Sequence, residues 1–149
     1  MTSDVYSAAC VCGRLRRATR ALTQLYDDAL APVDLRVTQF SLLRTLAREG
    51  SMRITALAAA ALLDRTALSR ALDPLAERGL VKVLAGKDAR TRDVTLTRSG
   101  RAALAAAIPL WEGAQAAVDA HLGHANIGAL VKLLGNVEQL HPGLPTLVD

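Results

Sequence analysis

Apolar residues recur near the start of the chain at steps of three and four. Val5, Ala8, Cys12, Leu15, Leu22, Tyr26 and Ala29 share one face of a 3.6-residue period. That pattern predicts a helix over residues 5–30, with Asp4 capping its start and Pro32 just past its end. A second helix is predicted from Thr38, with Phe40, Leu43, Leu46 and Ala47 inward and Gly50 after its end. Arg53 and Ile54 read as a short extended piece. Thr55 then caps a short helix that buries Leu57, Ala58, Ala61 and Leu62, and Leu63 and Asp64 make a turn. Asp64 is a good N-cap for the next helix, residues 65–78. Its apolar stripe is Leu68, Ala71, Leu72 and Leu75, opposite Arg65, Thr66, Ser69, Arg70 and Asp73, and Gly79 ends it. Pro74 lies inside this helix and is expected to bend its second half.

The period then shortens to two. Residues 81–85 and 93–97 are rich in β-branched side chains and predict two strands of a hairpin. The loop between them, 86–92, carries Lys87, Arg90 and Arg92, with Asp88 expected to pair with one of the two arginines. An alanine-rich helix is predicted over 98–122, kinked at Pro109, with Leu104, Ile108, Trp111, Val118 and Leu122 on one face. Asn126 is expected to cap a last helix that turns Ile127, Leu130, Val131, Leu134 and Val137 inward. Helix, tight turn, helix and two-stranded hairpin, in that order, spell a mainly α-helical winged helix-turn-helix.

Composition agrees with this: 51% of the 149 residues are hydrophobic but only 3% aromatic, and alanine and leucine favour helix. A chain of this length can bury about 68–70% of its unfolded surface, enough for a core without staples. No run of about 18 uncharged apolar residues is present, so no membrane span is expected. Residues 1–9 lack the basic-then-apolar order of a secretory signal, which predicts a cytoplasmic protein with Cys10 and Cys12 reduced at rest.

Charge changes the picture most. Residues 44–101 hold twelve Lys/Arg against six Asp/Glu, whereas the remainder holds six against eight. Positive charge gathers on the segment that the pattern assigns to the helix-turn-helix and hairpin, the footprint of a phosphate-binding surface. The second helix of such a motif enters the major groove of double-stranded DNA by its N-terminal residues. Here those are Arg65, Thr66, Ser69 and Arg70. Arginine can grip O6 and N7 of a guanine with two bonds, and hydroxyls suit bases or phosphates. Lys87, Arg90 and Arg92 are expected to reach the flanking backbone or minor groove.

Ile54-Thr55-Ala56-Leu57-Ala58, Asp64-Arg65-Thr66-Ala67-Leu68-Ser69-Arg70 and Leu75-Ala76-Glu77-Arg78-Gly79-Leu80-Val81 together resemble the multiple antibiotic resistance regulator (MarR) family. So do Asp88-Ala89-Arg90-Thr91-Arg92, Val94-Thr95-Leu96-Thr97 and Gly100. The resemblance spans nearly the whole chain. It implies a homodimer joined through the first, fifth and sixth helices, repressing genes near its own and released by a small-molecule inducer or an oxidant. On that basis residues 1–34 and 99–149 form a dimerisation region and 35–98 a DNA-binding lobe.

Aligned on Arg20-x-x-Thr23-x-x-Tyr26, Cys12 falls where the organic-hydroperoxide-sensing branch of the family carries its reactive cysteine. Arg14, Arg16, Arg17 and Arg20 give this helix a positive field. Tyr26 matches one of the tyrosines around that cysteine; Arg16 and Val37 stand at the others. Cys12 is therefore a candidate redox sensor, with a small buried apolar residue as the alternative. Cys10 and Cys12, two apart on a helix, face opposite sides and cannot share a metal ion, and Gly123 separates His121 from His124 without a carboxylate pattern. No metal site, cofactor or catalytic constellation is expected. Two other readings are a non-specific architectural DNA-binding protein and a dimeric interaction module that ignores DNA.

Overall fold

The computed structural model describes residues 10–88 and 90–143. Among these residues there are six α-helices: α1 (Val11–Leu30), α2 (Val37–Glu49), α3 (Ile54–Ala60), α4 (Arg65–Glu77), α5 (Arg98–Leu122) and α6 (His124–Glu138). Three short strands, β1 (Met52–Arg53), β2 (Val81–Ala85) and β3 (Arg92–Leu96), form one antiparallel sheet in the order β1-β3-β2. The expected two-stranded hairpin thus gains a third strand: Met52 lies opposite Val94 and Arg53 opposite Asp93. Val81 and Val83 pair with Leu96 and Val94, turning one sheet face inward.

The core lies where α2, α3, α4 and the sheet meet the first half of α5. Phe40, Leu42, Leu43 and Leu46 from α2, Leu57 from α3 and Leu68, Leu72 and Leu75 from α4 are buried with Val81, Val94, Leu96, Leu104 and Ala107. Each such leucine contributes roughly 1.5–3 kcal/mol by leaving water. Phe40 stacks on Trp111 with ring centroids 5.6 Å apart, and the Arg44 guanidinium sits over the indole at 5.0 Å. These contacts fasten α2, against which α4 packs, to the long helix α5.

Local chemistry sets most boundaries. Asp64 caps α4 by accepting the Ala67 N–H at 2.8 Å. Thr97 caps α5, its hydroxyl accepting the Gly100 N–H at 2.9 Å and donating to the Gly79 carbonyl at 2.6 Å. Gly79 follows α4 at φ 71°, a left-handed turn that glycine takes without penalty. Both α4 and α5 continue as helix through their internal prolines, Pro74 and Pro109.

Several expectations fail for identifiable reasons. Residues 5–9 lie outside the described residues, as does the expected cap Asp4; Cys10 is extended (ψ 114°), so α1 starts at Val11. Ile54 and Thr55 already belong to α3, whose N-cap is Arg53, because β1 ends one residue early to pair with β3. Leu62 adopts φ 54° and is 52% exposed; this left-handed residue ends the turn after α3, and Leu63 takes the inward place instead. Asn126 caps no helix start: its amide donates to the Leu122 carbonyl at 2.6 Å, closing the end of α5, and Gly123 precedes α6. Ile108 and Leu122 are exposed at 38% and 37%, since the inward stripe of α5 runs through Leu104, Ala107 and Ala114. No residue of α6 is buried within the chain.

Candidate nucleic-acid interface

The helix-turn-helix is α3, the turn around Leu62 and α4. Leu68, Leu72 and Leu75 sink one face of α4 into the core, at 1%, 4% and 0% exposure. A helix anchored that way must present its other face to solvent, and Arg65, Thr66, Ser69 and Arg70 are all exposed. They occupy the first two turns, with the Asp64 cap fixing where the helix begins.

The hairpin β2–β3 supplies the second element, and α4 packs against β2. Its tip is closed by backbone bonds: the Gly86 N–H donates to the Thr91 carbonyl at 2.8 Å, and the Thr91 N–H to the Asp88 carbonyl at 2.9 Å. A Cβ on Gly86 would lie 2.2 Å from the Thr91 hydroxyl oxygen, so any larger residue there must displace the Thr91 side chain that bonds the Asp88 carbonyl. The Asp88 carboxylate accepts the Arg90 backbone N–H at 3.4 Å. The expected pairing of Asp88 with the side chain of Arg90 or Arg92 is absent among the described residues, because the turn brings the backbone amide to the carboxylate first. Lys87 and Arg90 stand exposed on the loop, while Arg92 is exposed at the start of β3, opposite Ala85, rather than in the loop.

Ion pairs among the described residues join Arg36 to Asp27, Arg48 to Glu49, Arg78 to Asp34 and His124 to Asp119. Arg65, Arg70, Lys87, Arg90 and Arg92 take part in none of them. These five cations stand exposed on two adjoining elements, with Lys82 of β2 exposed beside them.

Within the single chain Cys12 is exposed and lines an open groove of about 630 Å³ between the start of α1 and the end of α6. Leu15, Val137 and Leu140 form its apolar wall, with Arg16 and Arg20 beside them. Further along α1 the Tyr26 hydroxyl donates to the Gln115 side chain of α5, and burial pushes its ionisation above the ordinary value of 10.0. The adjacent aspartates Asp27 and Asp28 at the end of the first helix are expected to pair with nearby arginines, and Asp27 does so with Arg36. The wider polar cluster at the joint of α1 and α2, with Arg78 in it, is what sequence reasoning missed. There Arg78 at the end of α4 reaches the Val33 and Asp34 carbonyls. The one signal for it was the pair Asp27-Asp28 near arginines; the partner Arg36 lies nine residues away, across a 3-10 turn.

The MarR family model matches residues 35–91. Among solved structures, the chain is similar to the M. tuberculosis transcriptional regulator MosR in complex with DNA. Identity is 40% over 93% of this chain and 100% of that one, with a TM-score of 0.80. It is also similar to a mutant of MarR from E. coli complexed with operator DNA (26% identity, 91% and 99% coverage, TM-score 0.80). A third similar structure is the transcriptional repressor CouR bound to p-coumaroyl-CoA (28% identity, 86% and 91% coverage, TM-score 0.76). No curated protein matches the sequence.

Proposed function

The chain belongs to the MarR family of transcriptional regulators, and on that premise we propose that it is a homodimeric repressor of a pseudo-palindromic operator, released by a small molecule or an oxidant. It works in the cytoplasm, beside the DNA it controls, and performs no catalytic step. Arg65, Thr66, Ser69 and Arg70 read bases in the major groove, and Lys87, Arg90 and Arg92 hold the flanking backbone. Residues 35–98 form the DNA-binding lobe; 1–34 and 99–149 join the two copies.

The observation that carries the reading is that Arg65 and Arg70 at the start of α4, and Lys87, Arg90 and Arg92 about the tip of the hairpin, are all exposed and take part in no ion pair among the described residues. The division supports separate tasks: base contacts specify the sequence and phosphate contacts position the protein. The DNA complexes of MosR and MarR support DNA as the partner, and the p-coumaroyl-CoA complex of CouR supports a small-molecule ligand as the inducer. Exposed Cys12, among the arginines of α1, is the residue proposed to answer an oxidant.

Titration of the purified dimer on its own upstream DNA, against a random duplex and across salt concentrations, tests the proposal. Specific binding should exceed random binding by at least about a thousandfold, and both should weaken steeply with salt. Equal affinity for the two duplexes would make the protein an architectural binder, and no salt-sensitive binding at all would remove DNA from its function.

A further inference from the structure

We propose that Arg78 and Asp27 are positioning residues for DNA recognition, tying α4 to the joint between α1 and α2 and so fixing the recognition helix relative to the dimer axis. The inference rests on the reading of α4 as the helix that enters DNA.

Arg78 is the C-cap of α4. Its guanidinium donates to the carbonyls of Asp34 and, at 3.2 Å, of Val33, and stands 3.8 Å from the Asp34 carboxylate. Asp34 sits at φ 53°, ending the 3-10 turn Ala31–Val33 that links α1 to α2. One planar fork thus holds two successive carbonyls of the turn, an arrangement that suits arginine and not the point charge of lysine. On the other side of the joint, Asp27 of α1 accepts the Val37 N–H at 2.8 Å. That N–H is the first of α2, one of the donors every helix start leaves unmet. The same carboxylate, 16% exposed, lies 3.3 Å from the Arg36 guanidinium. Gln39 completes the path: its carbonyl accepts the Arg36 N–H at 3.0 Å, and its amide faces the Ala71 carbonyl of α4 at 3.5 Å. These side chains line one polar cavity of about 470 Å³.

The consequence is geometric. α1 belongs to the proposed dimerisation region, whereas α4 belongs to the lobe. A two-fold operator is read only when both recognition helices sit about 34–36 Å apart. Bonds tie α4 to the turn after α1, and tie that turn's far side back to α1 through Asp27. They set the spacing before DNA arrives, which lowers the conformational freedom lost on binding. Arg78 lies at the end of α4 opposite Arg65, and two of its donor groups are already engaged by carbonyls, so its part is orientation and not contact with bases.

The test measures the affinity of the full-length dimer for four duplexes: the palindrome, the same half-sites with two extra base pairs between them, a single half-site, and a random sequence. Wild type should prefer the palindrome. Arg78→Gln should weaken palindrome binding about tenfold, leave the half-site within twofold and shrink the discrimination against the longer spacer. Arg78→Lys should fall between the two. Asp27→Asn, which keeps the side-chain shape, should show the same pattern more weakly and serves if the Arg78 variants do not fold. An equal loss on palindrome and half-site, or no loss on either, overturns the proposal. A wild type that fails to separate palindrome from random DNA overturns the reading of α4 on which it rests.

Discussion

Arg70 and Arg90 carry the same charge but stand on different scaffolds. Arg70 sits on a helix face whose reverse is buried in leucine, so its side chain starts from a fixed base. Arg90 sits on a loop tip held by a few backbone bonds and by Asp88. A fixed base suits bidentate recognition of a guanine, and a loop suits a phosphate, which accepts from many directions. Arg70→Ala should therefore lose about 1–3 kcal/mol on the preferred operator and relax preference at one base pair. Arg90→Ala should weaken every sequence alike and flatten the salt dependence by roughly one unit of slope. Fluorescence anisotropy on a panel of single-base operator variants, repeated across salt, separates the two patterns.

At the scale of elements, the start of α5 packs closely on Leu80, the residue before β2. A Cβ on Gly100 would lie 2.0 Å from the Leu80 carbonyl oxygen and 2.6 Å from the Leu96 side chain. Gly100→Ala must push helix and strand apart and should destabilise the protein by about 3 kcal/mol, the upper end for overpacked sites, readable by urea denaturation. The order of elements and the buried stripe of α4 were legible in the sequence because leucine periodicity and the Asp64 cap are local signals. What was not legible depends on tertiary pairing. β1 exists only because β3 lies beside it, Leu62 turns outward because the chain reverses in a left-handed turn, and Asn126 serves the helix before it instead of its own. The exposed face of the candidate site could be read from period and charge, since a stripe of leucine implies an opposite face. The Arg78 tie could not, because its partners lie 44 and 45 residues away and are backbone carbonyls.

The molecule as a whole leaves one region unfinished. Val131 and Leu133 are each 61% exposed on α6, Val11 is 64% exposed on α1, and Leu140 is 83% exposed past the end of α6. The inward face expected of α6 has no core of its own within the chain, which a second copy packed on α1, α5 and α6 would supply. Val131→Asp would place a charge in that interface and should shift the protein from dimer to monomer in sedimentation equilibrium; an unchanged dimer would put the interface elsewhere. Dimerisation and DNA reading converge in the footprint. Hydroxyl-radical footprinting of the upstream DNA should show protections arranged about a two-fold centre, with the two half-sites one helical turn apart, about 10–10.5 base pairs. Those protections should weaken at one base position with Arg70→Ala and on the flanks with Arg90→Ala. Protection without a two-fold centre, or spread evenly over random DNA, would contradict the account.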